Sequence, residues 1–185
     1  MNNGRNSYSL EITGTDKHCP AGEKAGDRYL REGKVPVLSC EGPCIRGEIA
    51  RVAAHMVAKE EPYRRGCHGE LITVPGSAIA QWIKAAGKVV LIDGCFLRCQ
   101  GRILENIIKS ENLLQFDAHS YYRKYSENFD IDEVAEGERK EAARLVADAV
   151  LSELRRKARN SAGSPTSTGC GAAPAAVKGS GCGCG

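Results

Sequence analysis

Cys40 and Cys44 are separated by three residues, Cys95 and Cys99 repeat that spacing, and Cys67 stands between the two pairs. Cysteine thiolates are the soft ligands that zinc and iron–sulfur clusters use, and they are also nucleophiles and redox groups. The chain has nine cysteines in 185 residues. In a reducing compartment such thiols are metal ligands or redox groups more often than structural bridges. Cys170, Cys182 and Cys184 fall in a Gly/Ala/Ser-rich tail, and Cys19, in Lys17-His18-Cys19-Pro20, stands alone. His68, beside Cys67, reads as an exposed loop histidine rather than a ligand, and His55 and His119 are less suited still.

The elements that must position these thiols follow from periodicity. Val35-Pro36-Val37-Leu38-Ser39 is a short apolar strand ending at Cys40, and Ile49, Val52, Ala53, Met56 and Val57 then recur at helical spacing, so Cys44 falls near the first turn of a helix. Gly66-Cys67-His68-Gly69 reads as a loop leading into a second strand, Glu70-Leu71-Ile72-Thr73-Val74. Ser77 is a suitable N-cap for a helix carrying Ile79, Trp82 and Ile83 on one face. Lys88-Val89-Val90-Leu91-Ile92-Asp93 is continuously apolar and β-branched, the pattern of a strand buried on both faces, and it runs into Gly94-Cys95. Cys99 lies at or just before the start of the next helix. Asn112 to Ala118 supplies a fourth strand, and Asp130-Ile131-Asp132-Glu133 resembles a capping box opening a long final helix with a stripe from Ala143 to Leu154.

Strands alternating with helices predict an α/β fold: a small three-layer, mostly parallel sheet with helices on both faces and the cysteine loops at the strand carboxyl ends. In such sheets ligands bind beyond those ends. The expected organisation is a loosely ordered lead-in over 1–33, a metal-binding α/β domain over 34–159 and a flexible Gly/Ala/Ser/Cys-rich tail over 160–185. Cysteines at strand-to-helix turns also meet the unpaired N–H groups of the helix start, which favour thiolate over thiol. The predicted site is therefore Cys40, Cys44, Cys95 and Cys99 around one tetrahedral zinc, with Cys67 replacing one of them or adding a fifth ligand.

Val89-Val90-Leu91-Ile92-Asp93-Gly94-Cys95 with Cys99, Ser39-Cys40-Glu41-Gly42-Pro43-Cys44-Ile45-Arg46-Gly47-Glu48, and the Gly66-Cys67 loop together resemble the DGC-domain family, named for its Asp-Gly-Cys motif and associated with zinc binding. The resemblance spans roughly Val35 to Ala118. It implies a metal site at Cys40, Cys67, Cys95 and Cys99, with Cys44 an addition made by some members.

Two rival chemistries use the same residues. Thiol redox or an iron–sulfur cluster would employ the same thiolates, although neither a redox Cys-x-x-Cys nor a Cys-x3-Cys-x2-Cys run is present. Cys40 to Arg46 also has the Cys-x5-Arg spacing of cysteine phosphatases and arsenate reductases, which would make Cys40 a nucleophile above an oxyanion cradle. Against it, Gly47 stands where those enzymes carry a hydroxyl, and no Asp is marked out as the general acid, Asp117 and Asp130 being the candidates. The favoured reading is a non-catalytic metal-binding protein, with metal ions, and a metal or redox protein, as partners. Charges of both signs are interspersed, 26 Lys and Arg against 23 Asp and Glu for a net of +3, and form no basic stripe for nucleic acid. No uncharged run is long enough to span a bilayer, and residues 1–15 lack an apolar stretch of signal-peptide length, so the expected address is the cytoplasm.

Overall fold

A computed structural model describes residues 9–162. The predicted tail of 160–185 therefore lies almost wholly outside the described residues. The first surprise is at the amino end: within the expected lead-in, Pro20–Arg31 forms helix α1. Cys19 is its N-cap, accepting at Sγ from the Gly22 N–H at 3.4 Å, and Pro20 occupies the first helical position, where its missing N–H costs nothing. The helix docks through small residues. A Cβ on Gly26 would lie 2.3 Å from the backbone carbon of Ala78, and Glu23 accepts from the Ala78 N–H at 2.9 Å. Its inner face, Gly22, Ala25, Gly26 and Tyr29, has helical spacing but little hydrophobicity, which is why composition concealed it.

Strand β1 (Val35–Ser39) follows, then helix α2 (Ile45–Val57) and strand β2 (Tyr63–Arg65). The second strand is thus not Glu70–Val74, as its apolar character suggested. That segment belongs to helix α3 (His68–Thr73), and its buried positions, Glu70, Leu71 and Val74, are spaced i, i+1, i+4 as on a helix rather than alternately as on a strand. The true β2 is a three-residue edge strand of Tyr-Arg-Arg, too short and polar to signal itself. Helix α4 (Ala78–Ala85) begins at the expected cap, with the Ser77 hydroxyl accepting from the Ala80 N–H. Strand β3 (Val89–Asp93), helix α5 (Cys99–Leu104), strand β4 (Leu113–Asp117), the short helix α6 (His119–Tyr122) and the long helix α7 (Glu136–Ala162) complete the order. The Asp130–Glu133 capping box is present, but it closes a 3-10 turn over Ile131–Glu133, three residues before α7.

The four strands are all parallel, in the order β2-β1-β3-β4. Side chains alternate across the sheet. Val37, Val90, Ile92 and Phe116 face α2 and α7, whereas Leu38, Val89, Leu91 and Leu113 face the layer built from α1, α4 and α5. Both faces are therefore covered, which is the condition under which a parallel sheet is stable and the reason β3 is fully buried. Trp82 anchors the second layer by donating from its indole N–H to the Lys34 carbonyl at 2.9 Å while Tyr29 packs on its ring. From β1 the chain crosses to β2 on one side, then returns past β1 to β3 on the other. Successive turns at the carboxyl ends of β1 and β3 consequently diverge, and a crevice opens between them. No helix of the described residues is long and apolar enough to cross a membrane.

Docking of α1 is testable. Gly26→Ala forces a methyl into the α4 backbone, and overpacking of that kind should cost roughly 1–3 kcal/mol, lowering the melting temperature by several degrees. An unchanged melting temperature would contradict a docked α1.

Candidate metal centre

The turn after β2 carries Cys67. β1 ends at Ser39 and is followed directly by Cys40; β2 ends at Arg65 and is followed by Gly66-Cys67; β3 ends at Asp93 and is followed by Gly94-Cys95. Three neighbouring strands therefore each deliver a cysteine to the same edge of the sheet. Cys44 is the N-cap of α2 and Cys99 the first residue of α5, so all five predicted ligands lie at that edge.

Glycines allow the turns to meet. A Cβ on Gly94 would lie 2.9 Å from the carbonyl of Arg46 and 3.0 Å from the Gly47 nitrogen, so the β3–α5 turn rests directly on the first turn of α2. A Cβ on Gly47 would lie 2.3 Å from the Gly42 oxygen. Position 47 is thus glycine because the β1–α2 loop folds back over it, and this loop leaves no room there for the hydroxyl of a phosphatase cradle. Cys40 is tied to β3 by its N–H, which donates to the Ile92 carbonyl at 2.9 Å.

The five thiols are not equally close. The Cys40 sulfur accepts from the Gly42 N–H at 3.5 Å, and the turns that carry Cys44 and Cys95 meet where Gly94 packs on Arg46 and Gly47, so Cys40, Cys44 and Cys95 stand on turns that touch. Cys67 lies on the far side of β1, beside Arg65, and its side chain is exposed. Cys99 is also exposed and accepts from Arg102 at 3.8 Å. All the described cysteines are free thiols, and among the described residues no three His, Cys, Asp or Glu side chains are gathered to hold a metal ion. The exits are close in sequence register, but β2 and β3 are separated by β1, a lateral distance of about 10 Å. Cys67 and Cys95 can share an ion only if their loops close inward.

Electrostatics adjust another expectation. Burial pushes the Cys40 thiol up, outweighing the Gly42 and Gly94 N–H groups directed at its sulfur, with Asp93 and Cys44 adding to the rise. Cys40 is therefore not activated by a helix start, since the N-cap of α2 is Cys44. A bound cation would reverse this balance by favouring the thiolate directly. Asp93 is buried, and burial raises its pKa, yet Oδ1 accepts from the Gln100 N–H at 3.2 Å, so the carboxyl holds the start of α5 in place. Between them Arg98 takes a left-handed conformation, φ 50°, and donates to Gln115 at 2.7 Å, with Phe96 and Leu97 exposed at the tip of the turn.

On the β2 side, Arg65 donates to the Val37 carbonyl, the Ser39 hydroxyl and Glu41 at 3.0, 3.1 and 2.9 Å, locking the loop after β1 to β2. His68 is not the exposed residue expected: its side chain is only 10% exposed and Nδ1 is 3.8 Å from Glu41. Burial nevertheless outweighs Glu41 and depresses its pKa to about 4, so the pair is not an ion pair at neutral pH.

Several buried polar atoms at this edge have no partner among the described residues: Arg46 Nε, His68 Nε2, Asp93 Oδ2, Gln100 Oε1 and the Tyr122 hydroxyl. Each such group costs about 1–3 kcal/mol when left unsatisfied. Their concentration around the cysteine loops, together with soft donors at three strand exits, fits a group bound here. Tyr122 and the unpartnered state of Arg46 were not legible beforehand, because helix α6 reaches the crevice from a distant part of the chain.

The His68 shift gives a pH prediction. Its folded pKa lies below the unfolded value, so the native state binds fewer protons and stability falls as pH drops from about 6.5 toward about 4. In metal-free protein, His68→Gln should remove up to about 2 kcal/mol of the stability lost between pH 7 and pH 5, read from urea midpoints. Parallel losses in both proteins would contradict a buried neutral His68.

A family model described as the DGC domain matches residues 36–140, more than half of the chain and most of the sheet with its cysteine turns. No curated protein and no solved structure matches the chain. The family match covers β1 through the start of α7, including Asp93-Gly94-Cys95, and on that ground the chain belongs to the DGC-domain family.

Proposed function

We propose that the chain binds one soft metal ion, zinc foremost, through thiolates at the carboxyl edge of the sheet. The observation that carries this reading is that three adjacent parallel strands each end in a cysteine, two of them beside a second cysteine at the start of the following helix. Cys40, Cys44 and Cys95 would form the nucleus of the site. Cys99 or Cys67 would complete its tetrahedron as the loops move inward. Zinc bound by thiolates would supply no redox step; it would tie the diverging turns together and add its binding energy to the fold. The protein's own groups have distinct tasks: Gly47 and Gly94 permit the approach, Arg65 and Glu41 fix the loop beside Cys67, and Asp93 holds the α5 start that carries Cys99.

Protein purified without oxygen should contain about one zinc per chain by elemental analysis. Cys95→Ser should lose it, and unchanged zinc content in that variant would overturn the proposed site. A stoichiometric iron content with visible absorbance would instead assign the thiolates to an iron–sulfur cluster.

Asp93→Asn separates orientation from ligation. It retains a hydrogen-bond acceptor for the Gln100 N–H but loses the charge, so zinc affinity should fall by roughly 10–100-fold without disappearing. Complete loss, equal to that of Cys95→Ser, would make Asp93 a ligand.

A further inference from the structure

β3 and β4 run side by side and in register to their last residues, and both last residues are aspartates: Asp93 pairs with Asp117. Alternation puts Asp93, Gln115 and Asp117 on the face covered by α5, opposite to Ile92 and Phe116, which pack toward α2 and α7. Arg98, at the start of α5, reaches Gln115 on this face and so fixes the assignment. Two carboxylates therefore stand on neighbouring strands at the carboxyl edge, their backbones about 5 Å apart.

Backbone amides occupy one oxygen of each. Asp93 Oδ1 accepts from the Gln100 N–H at 3.2 Å, and Asp117 Oδ1 accepts from the His119 N–H at 3.0 Å. The second oxygens are left over. Asp93 is 1% exposed, and its Oδ2 is sealed from solvent with no partner among the described residues. A Cβ on Gly101 would lie 2.9 Å from that oxygen and 3.1 Å from Gln115 Oε1, so Oδ2 is turned toward β4, the strand that carries Asp117. Asp117 Oδ2 likewise enters no hydrogen bond or ion pair among the described residues. Gln100, in the first turn of α5, adds an amide oxygen, Oε1, that is also sealed and unpartnered. The guanidinium on this face, that of Arg98, donates to Gln115 and Glu105 and to neither aspartate.

A buried carboxylate oxygen without a donor is costly, and a set of carboxylate and amide oxygens without sulfur or imidazole is the donor type of hard cations. We infer a second cation site, separate from the thiolate centre, in which Asp93 Oδ2, Asp117 Oδ2 and Gln100 Oε1 hold a hard divalent ion, magnesium foremost, at the ends of β3 and β4. Magnesium needs only one or two carboxylates from a protein and completes its octahedron with water. Asp117 is partly exposed, which gives the ion its route from solvent. Asp93 then has two tasks: Oδ1 holds the start of α5, which carries Cys99, and Oδ2 binds the ion. The inference does not rest on the zinc reading, because every donor is an oxygen.

The test uses the reduced full chain, metal-free and zinc-loaded, titrated with manganese as a paramagnetic stand-in and followed by electron paramagnetic resonance of the free ion. Magnesium is then added as competitor. One manganese per chain is expected, displaced by magnesium, with zinc content unchanged. Asp117→Asn keeps an oxygen for the His119 N–H but removes the charge, and should weaken manganese binding at least about tenfold while zinc stays in place. Gln100→Ala removes a neutral donor, should weaken binding several-fold, and carries the test if Asp117→Asn does not fold. Cys95→Ser removes only a thiol and should bind manganese as the wild type does. Absence of saturable manganese binding, failure of magnesium to compete, undiminished binding in Asp117→Asn, or loss of manganese in Cys95→Ser would each overturn the site. Manganese held through Asp117 by a chain that takes up no zinc would leave this site standing and sink the zinc reading alone.

Discussion

The backbone contact of Gly94 with Arg46 and Gly47 is the constraint on which the site depends. It exists because β1 and β3 are neighbours in the sheet but send the chain in opposite directions, so their turns must diverge over a crevice while still touching at its base. Any side chain at position 94 would push the β3–α5 turn off α2 and carry Cys95 away from Cys40 and Cys44. Gly47 plays the reciprocal part by letting the β1–α2 loop fold onto its own helix. Two glycines without side chains thereby decide where three thiols stand.

Desolvation then sets the chemistry. Cys40, Asp93 and Tyr122 are each driven toward their neutral forms by burial. Burial disfavours the charged forms of these groups and leaves polar atoms at this edge unpaired. A metal ion bound there must displace protons from thiols, so its uptake releases protons and weakens at low pH. The Arg65, Ser39 and Glu41 contacts brace the β1 turn from the β2 side, where the sheet edge would otherwise be open.

What could be read from the sequence was what is local. A strand running into a cysteine is a contiguous pattern, and β1 with Cys40, β3 with Cys95, the Ser77 cap and the long final helix were all legible as such. The parallel three-layer architecture followed from their alternation. Helix α1 escaped because its inner face is built of Gly22, Ala25 and Gly26, whose contribution is closeness of approach rather than apolar area. β2 escaped because three polar edge residues carry no periodicity, and the apolar Leu71-Ile72-Thr73-Val74 run next to it drew the assignment. His68 looked exposed because its packing is tertiary: Glu41, 3.8 Å from its Nδ1, lies on the loop after β1. Tyr122 could not be foreseen at all: its burial in the cluster built from α2 and α7 is a tertiary fact.

Whether the strand exits converge on a metal through sulfur is decided most directly by X-ray absorption at the zinc edge on full-length protein purified without oxygen. A first shell made of sulfur alone, with distances of about 2.3 Å and a coordination number near four, is the predicted result. A shell of nitrogen and oxygen without sulfur, or protein that carries no metal when handled in this way, would contradict a thiolate centre at Cys40, Cys44, Cys67, Cys95 and Cys99.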